Sequence, residues 1–175
     1  MQKTYIALLR GINIGGNKKV PMQELRELLE GLGYQDVKTV IASGNAVFDS
    51  NDSEETTKQK IETAIVEKFG FDVSTQIINF DDILSALKAD PFKDVPEKKE
   101  IKCNVTFLGR NPTKKEISIE NANFQIIDLA NNMLFTAVDL SKGSTINLMS
   151  FLDKKFGKQV TTRTWKTLER IVNCR

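Results

Sequence analysis

Apolar residues in Thr4–Leu9 (TYIALL) form an unbroken run of a strand's length, stopped by Arg10-Gly11. The period then changes. Leu25, Leu28, Leu29 and Leu32 recur at helical spacing, with Pro21 suited to a first turn and Gly33 to a C-terminal stop. Val37–Ile41 and Ala46–Phe48 read as short strands around the turn sequence Ala42-Ser43-Gly44-Asn45. Asp52 followed by Glu55 predicts a capping box, opening a helix that carries Ile61, Ala64, Ile65 and Phe69 on one face. Val73–Asn79 reads as a strand and Asp81–Ala89 as a short helix.

Asp90–Glu100 (DPFKDVPEKKE) combines two prolines with a charge cluster and reads as a linker between halves 1–89 and 101–175. After it the order restarts. Ile101–Leu108 is a strand, Gly109–Pro112 a turn and Thr113–Glu120 a helix. Phe124–Leu129 and Met133–Leu140 form a hairpin across Asn131-Asn132. A helix over Thr145–Phe156, a strand near Gln159–Thr162 and a helix from Trp165 complete it. Each half therefore reads βαββαβ plus a trailing helix, an α+β fold of two ferredoxin-like halves. The letters repeat less well than the elements, although IALLRGIN and VTFLGRNP occupy equivalent places.

Composition narrows the chemistry. The 175 residues contain no histidine, which removes histidine-based triads, histidine general bases and most zinc sites. The two cysteines, Cys103 and Cys174, have no CxxC spacing, and Cys103 alternates with Ile101, Val105 and Phe107 as an inward-facing strand residue would. No apolar run approaches the ~20 residues of a membrane span, and the N-terminal stretch lacks a secretion signal's apolar core, so the expectation is cytoplasmic. A net charge of +2 is too weak to argue for general nucleic-acid binding. Its distribution says more. Before Glu24 the charged side chains are Lys3, Arg10, Lys18 and Lys19, all basic; acids outnumber lysines over Asp49–Glu100; and Lys154–Arg175 is basic again.

The candidate site follows from fold order and charge together. In a split βαβ unit the first two strands run parallel with the third between them, so the loop after strand one and the turn after strand two share a sheet edge. That brings Arg10–Lys19 towards Ser43-Gly44-Asn45. Gly11, Gly15 and Gly16 permit left-handed backbone and close approach of a ligand. Successive amides in such a loop can nest an anion, and the following helix N-terminus adds partial positive charge worth about 0.3–1 kcal/mol. Arg10, Lys18 and Lys19 supply formal charge, while Asn13, Ser43 and Asn45 supply neutral polar groups. The residues expected to bind ligand are these nine, with no metal, no named cofactor and no catalytic residue assigned. Three readings stay open for the loop: an anion site, a protein-contact loop, or glycines that merely turn a long loop back into its helix.

Familiar motifs do not fit. Gly11–Gly16 has the spacing of a Walker loop, but Asn17-Lys18-Lys19 follows and the magnesium-binding hydroxyl is missing. Asp49–Ser53 starts like a calcium loop, yet Glu54 and Lys60 stand where glycine and glutamate are required. Ser141–Thr145 reads as a turn and helix cap rather than a serine–lysine catalytic pair, and Trp165, Leu168, Ile171 and Val172 share one helical face. An RNA-recognition reading would use Tyr5 as a stacking platform, but Asn45 and Val47 replace the paired third-strand aromatics.

The stretch ALLRGINIGGNKKVPMQELRELLEGLGYQDVKTVIASGNAVF, Ala7–Phe48, closely resembles the opening of a mainly bacterial family catalogued as domain of unknown function 1697. The resemblance resumes at Ser141 and at Thr162-Arg163-Thr164-Trp165, where the family usually has asparagine in place of Thr164; both residues can cap a helix. It implies a cytosolic α+β protein of two ferredoxin-like halves and brings no activity, cofactor or site residue. The expected function is binding of a small phosphate- or carboxylate-bearing ligand at the two-loop edge. A non-enzymatic protein-interaction module and single-stranded RNA binding are the alternatives.

Overall fold

The computed structural model describes residues 1–109, 112, 117, 123–142 and 145–175. The first sheet comprises β1 (Lys3–Leu9), β2 (Gln35–Val40), β3 (Asn45–Ser50) and β4 (Thr75–Asn79) in the order β2-β3-β1-β4. Three helices accompany them: α1 (Met22–Gly31), α2 (Glu54–Phe69) and α3 (Phe80–Ala89). The second sheet, β5 (Ile101–Phe107), β6 (Phe124–Ala130), β7 (Met133–Asp139) and β8 (Thr161–Thr164), repeats that order as β6-β7-β5-β8. With it come α4 (Thr145–Phe156) and α5 (Trp165–Asn173). All pairings are antiparallel. Two ferredoxin-like halves are the result; the helix expected over Thr113–Glu120 lies largely outside the described residues.

By contacts the chain forms two units, Met1–Leu84 with Glu169–Arg175, and Ser85–Leu168. In the first, odd-numbered β1 residues Tyr5, Ala7 and Leu9 join Phe48, Leu25, Leu29, Ile61 and Ile65 in a core between sheet and helices. Even-numbered Ile6 and Leu8, with Val47, are equally buried on the opposite face. That explains why TYIALL reads as an unbroken apolar run rather than an alternating one. On this second face Lys38 Nζ donates to the Cys174 carbonyl at 2.9 Å, and Arg175 reaches both Asp49 oxygens at 2.6 and 2.7 Å. The Arg175 guanidinium also lies 6.0 Å from the Phe80 ring centre.

Local details correct the sequence reading at one helix end. Ser53, not Asp52, caps α2, its side chain accepting from the Thr56 amide, while Asp52 pairs with Lys60 at 2.7 Å. The hydroxyl reaches the third residue on and satisfies an orphan amide there. In the second unit Asn131 (φ +48°) and Asn132 (φ +61°) turn the β6–β7 hairpin. Phe92, within the segment read as a linker, is buried and packs edge-on against Phe135 and Trp165, with ring centres 5.9 and 5.1 Å away. Among the described residues no helix is long and apolar enough to cross a membrane.

Two outcomes follow from this packing. Gly44 has φ +79°, and a Cβ there would sit 2.6 Å from Ile12 Cδ1 and 2.9 Å from Leu9 Cβ. Gly44→Ala is therefore expected to cost about 2–3 kcal/mol and to lower the melting temperature by roughly 5–10 °C in calorimetry. Asp49 supplies a pH signature. Partial burial pushes its carboxyl up, but the Thr4 hydroxyl and then Arg175 outweigh burial and hold it below the ordinary 3.8. A carboxyl depressed by folding stabilises above its unfolded pKa and loses that contribution as pH falls through the folded value. The stability difference between the parent and Asp49→Asn should thus be full at neutral pH and shrink below pH 3.8, as read from urea midpoints.

Candidate functional site

β1 is paired on both sides, so its C-terminal end lies between the starts of β3 and β4. Leu8 faces Asn45 and Leu9 faces Thr75 in the ladders. The ladder bonds continue outward, from Leu9 N to Gly44 O at 2.8 Å and from Arg10 N to Ser74 O at 2.9 Å. Three segments therefore converge: the loop after β1, the β2–β3 turn and the lead-in to β4.

The loop after β1 is a miniature hairpin. Ile14 and Asn17 form an antiparallel bridge, with Asn17 N donating to Ile14 O at 3.3 Å and Asn13 N to Lys18 O at 3.1 Å. Gly15 (φ +62°) and Gly16 (φ +80°) fill the two tip positions, both left-handed as a type I′ turn requires. The turn alone is sufficient reason for that glycine pair. Asn13 (φ +57°) brackets the hairpin to its surroundings. Its amide donates to Val20 O at 2.9 Å and Ala42 O at 2.7 Å, and its side-chain oxygen accepts from Val20 N at 2.9 Å. Asn45 is fully buried and closes the β2–β3 turn, donating to Val40 O at 2.8 Å and Ser43 Oγ at 3.0 Å. Asn13 and Asn45 thus act on the protein's own backbone.

Lys18 and Lys19 are exposed. Lys18 Nζ donates to the main-chain oxygen of Asp72 and sits 5.9 Å from the Phe71 ring centre. A carbonyl and a ring face hold its position without cancelling its charge. Lys19, Ser43 and Gly11 are exposed, and Arg10 is half-buried. So the structure brings all nine predicted residues to one end of the first sheet, seven of them at its surface. Sequence reasoning missed Phe71, Asp72 and Ser74, although the antiparallel β1–β4 pairing implied by the fold order would have placed them. It also missed two exposed apolar side chains, Ile14 (71% exposed) and Ile41 (40%). Ile41 has φ +61°, a conformation that a β-branched residue adopts only against strain.

Rival sites are more self-contained. A polar pocket of about 210 Å³ at the other end of the sheet is lined by Gln2, Gly33, Gln35, Asp49, Asp52 and Lys60 among others. Its charges already meet partners, Asp49 with Arg175 and Asp52 with Lys60. Tyr5 lies in the core between sheet and helices, its hydroxyl 3.2 Å from Asp52 O, so its ring offers no platform to a base. In the second unit Trp165 packs edge-on against Phe92 and Phe135. Arg163 donates to Thr162 O at 3.0 Å, and burial pulls its guanidinium down to about 10, still charged at neutral pH. Burial raises both thiols, Cys103 and Cys174, which disfavours thiolate chemistry. Among the described residues no three histidine, cysteine, aspartate or glutamate side chains gather where they could hold a metal ion.

Comparison with known proteins places this architecture. The solved structure of conserved bacterial protein SP0830 from Streptococcus pneumoniae is similar, with a TM-score of 0.74 and 26% identity over 99% of this chain and 98% of that one. No curated protein matches the chain in sequence. The family profile described as protein of unknown function (DUF1697) matches residues 1–126, a span that contains the first sheet and the convergent loops. The chain belongs to that family, DUF1697.

Proposed function

We propose that the convergent end of the first sheet is a binding site for an anionic, phosphate- or carboxylate-bearing group. The observation that carries this reading is the Asn13 bracket. It pins a basic loop, which carries Arg10, Lys18, Lys19 and the exposed Gly11, to the β2–β3 turn, which carries Ser43. Neither segment contains a carboxylate, and Asp72 meets Lys18 through its main-chain oxygen. Lys18 is already held by the Asp72 carbonyl and the Phe71 ring, and a pre-positioned cation spends little ordering entropy on capture. Asn13 and Asn45 are positioning residues in this scheme; Arg10, Lys18, Lys19 and Ser43 make the contacts.

Inorganic phosphate, pyrophosphate and citrate serve as probes in thermal-shift titrations at constant ionic strength. At ten times its Kd a probe stabilises the protein by about 1.4 kcal/mol, a rise of roughly 3–5 °C for a chain of this size. Arg10→Ala and Lys18→Ala are expected to remove the rise, each read against its own unliganded melting temperature. Equal shifts in parent and variants would refute the site. Asn13→Ala separates positioning from charge. It keeps every cation, strips an acceptor from the Val20 amide and costs about 1–3 kcal/mol. Faster hydrogen exchange at Val20 and a weaker probe-induced shift are the expected pair of results.

A further inference from the structure

We propose that the anionic group recognised at this edge belongs to an acidic polypeptide segment that also presents an apolar side chain; the proposal rests on the anion-binding reading above and names its partner. A single exposed isoleucine is ordinary on a protein surface. Two features set this pair apart. Ile14 stands beside the glycine tip of a hairpin, where a polar residue would serve the turn equally well, yet it is 71% exposed. Ile41 occupies a left-handed conformation that asparagine or glycine would adopt with less strain. Both lie where the two segments are tied together, since the residues next to them in sequence, Asn13 and Ala42, are joined by a 2.7 Å hydrogen bond.

These loops therefore present two exposed aliphatic side chains in segments that also carry Arg10, Lys18 and Lys19, with Asp72 the acid on the adjoining segment. Charge complementarity selects an acidic partner, and recognition of acidic motifs by basic clusters is a recurrent mode of peptide binding. A free phosphate would use the cations and leave both isoleucines in water. Single-stranded RNA would need aromatic stacking surfaces, whereas this corner offers aliphatic ones and Tyr5 is in the core. An apolar residue set between acids engages both features at once.

The test is selection from a displayed random-peptide library on the full chain, followed by fluorescence polarisation of the enriched peptides. Two double variants separate the contributions: Ile14→Ser with Ile41→Asn, and Lys18→Glu with Lys19→Glu. The isoleucine variant should melt no lower than the parent, since one side chain is exposed and the other is relieved of strain. Enriched peptides should combine Asp or Glu with an apolar residue, and each double variant should weaken them at least tenfold. Inorganic phosphate binding should survive the isoleucine changes and disappear with the charge reversal. If phosphate binds but no acidic peptide is enriched, or if peptide affinity ignores the isoleucine changes, the peptide proposal falls and the anion reading stands. If neither phosphate nor acidic peptides bind, both fall. Tighter binding of oligouridylate than of any enriched peptide would also overturn the proposal.

Discussion

Double-sided pairing of β1 is the constraint on which the first sheet and its candidate site depend. A strand bonded to β3 on one side and β4 on the other has no free edge, and here both of its faces are buried as well. Its backbone polar groups must be met by neighbours, which fixes register along its whole length. The chain leaving Leu9 is thus delivered between Gly44 and Ser74.

The loop then solves a local problem of polar satisfaction. A long connection into α1 must turn back without stranding backbone groups, and the hairpin at 13–18 does so with glycines at the tip and Asn13 at the base. Asn45 performs the same service for the neighbouring turn from a fully buried position. Lys18, Lys19, Ile14 and Ile41 are among the exposed side chains of these two loops.

Much of the architecture was legible because it rests on short-range rules. The apolar run of β1, the helical spacing of Leu25, Leu28 and Leu29, and the Asn131-Asn132 turn each state their element locally, and the doubled element order then implies two ferredoxin-like halves. Capping was read one residue early, since Asp52 and Ser53 are both competent caps and only the reach of the hydroxyl to Thr56 chose between them. Phe92 was hidden in a segment of prolines and charges whose composition says linker, while its burial depends on Phe135 and Trp165, far away in sequence.

For the candidate site the division falls between which loops meet and what each side chain does there. Fold order and composition by themselves determined that a basic, glycine-rich loop adjoins the Ser43–Asn45 turn, because strand direction in a split βαβ unit leaves no alternative. Tertiary structure alone decided that Asn13 and Asn45 are spent on backbone carbonyls and that Lys18 rests on Phe71 and the Asp72 carbonyl. It also decided that Ile14 and Ile41 are exposed, Ile41 in a left-handed conformation. Side-chain roles turn on distances of a few tenths of an ångström between residues remote in sequence, and residue spacing along a chain does not encode those distances.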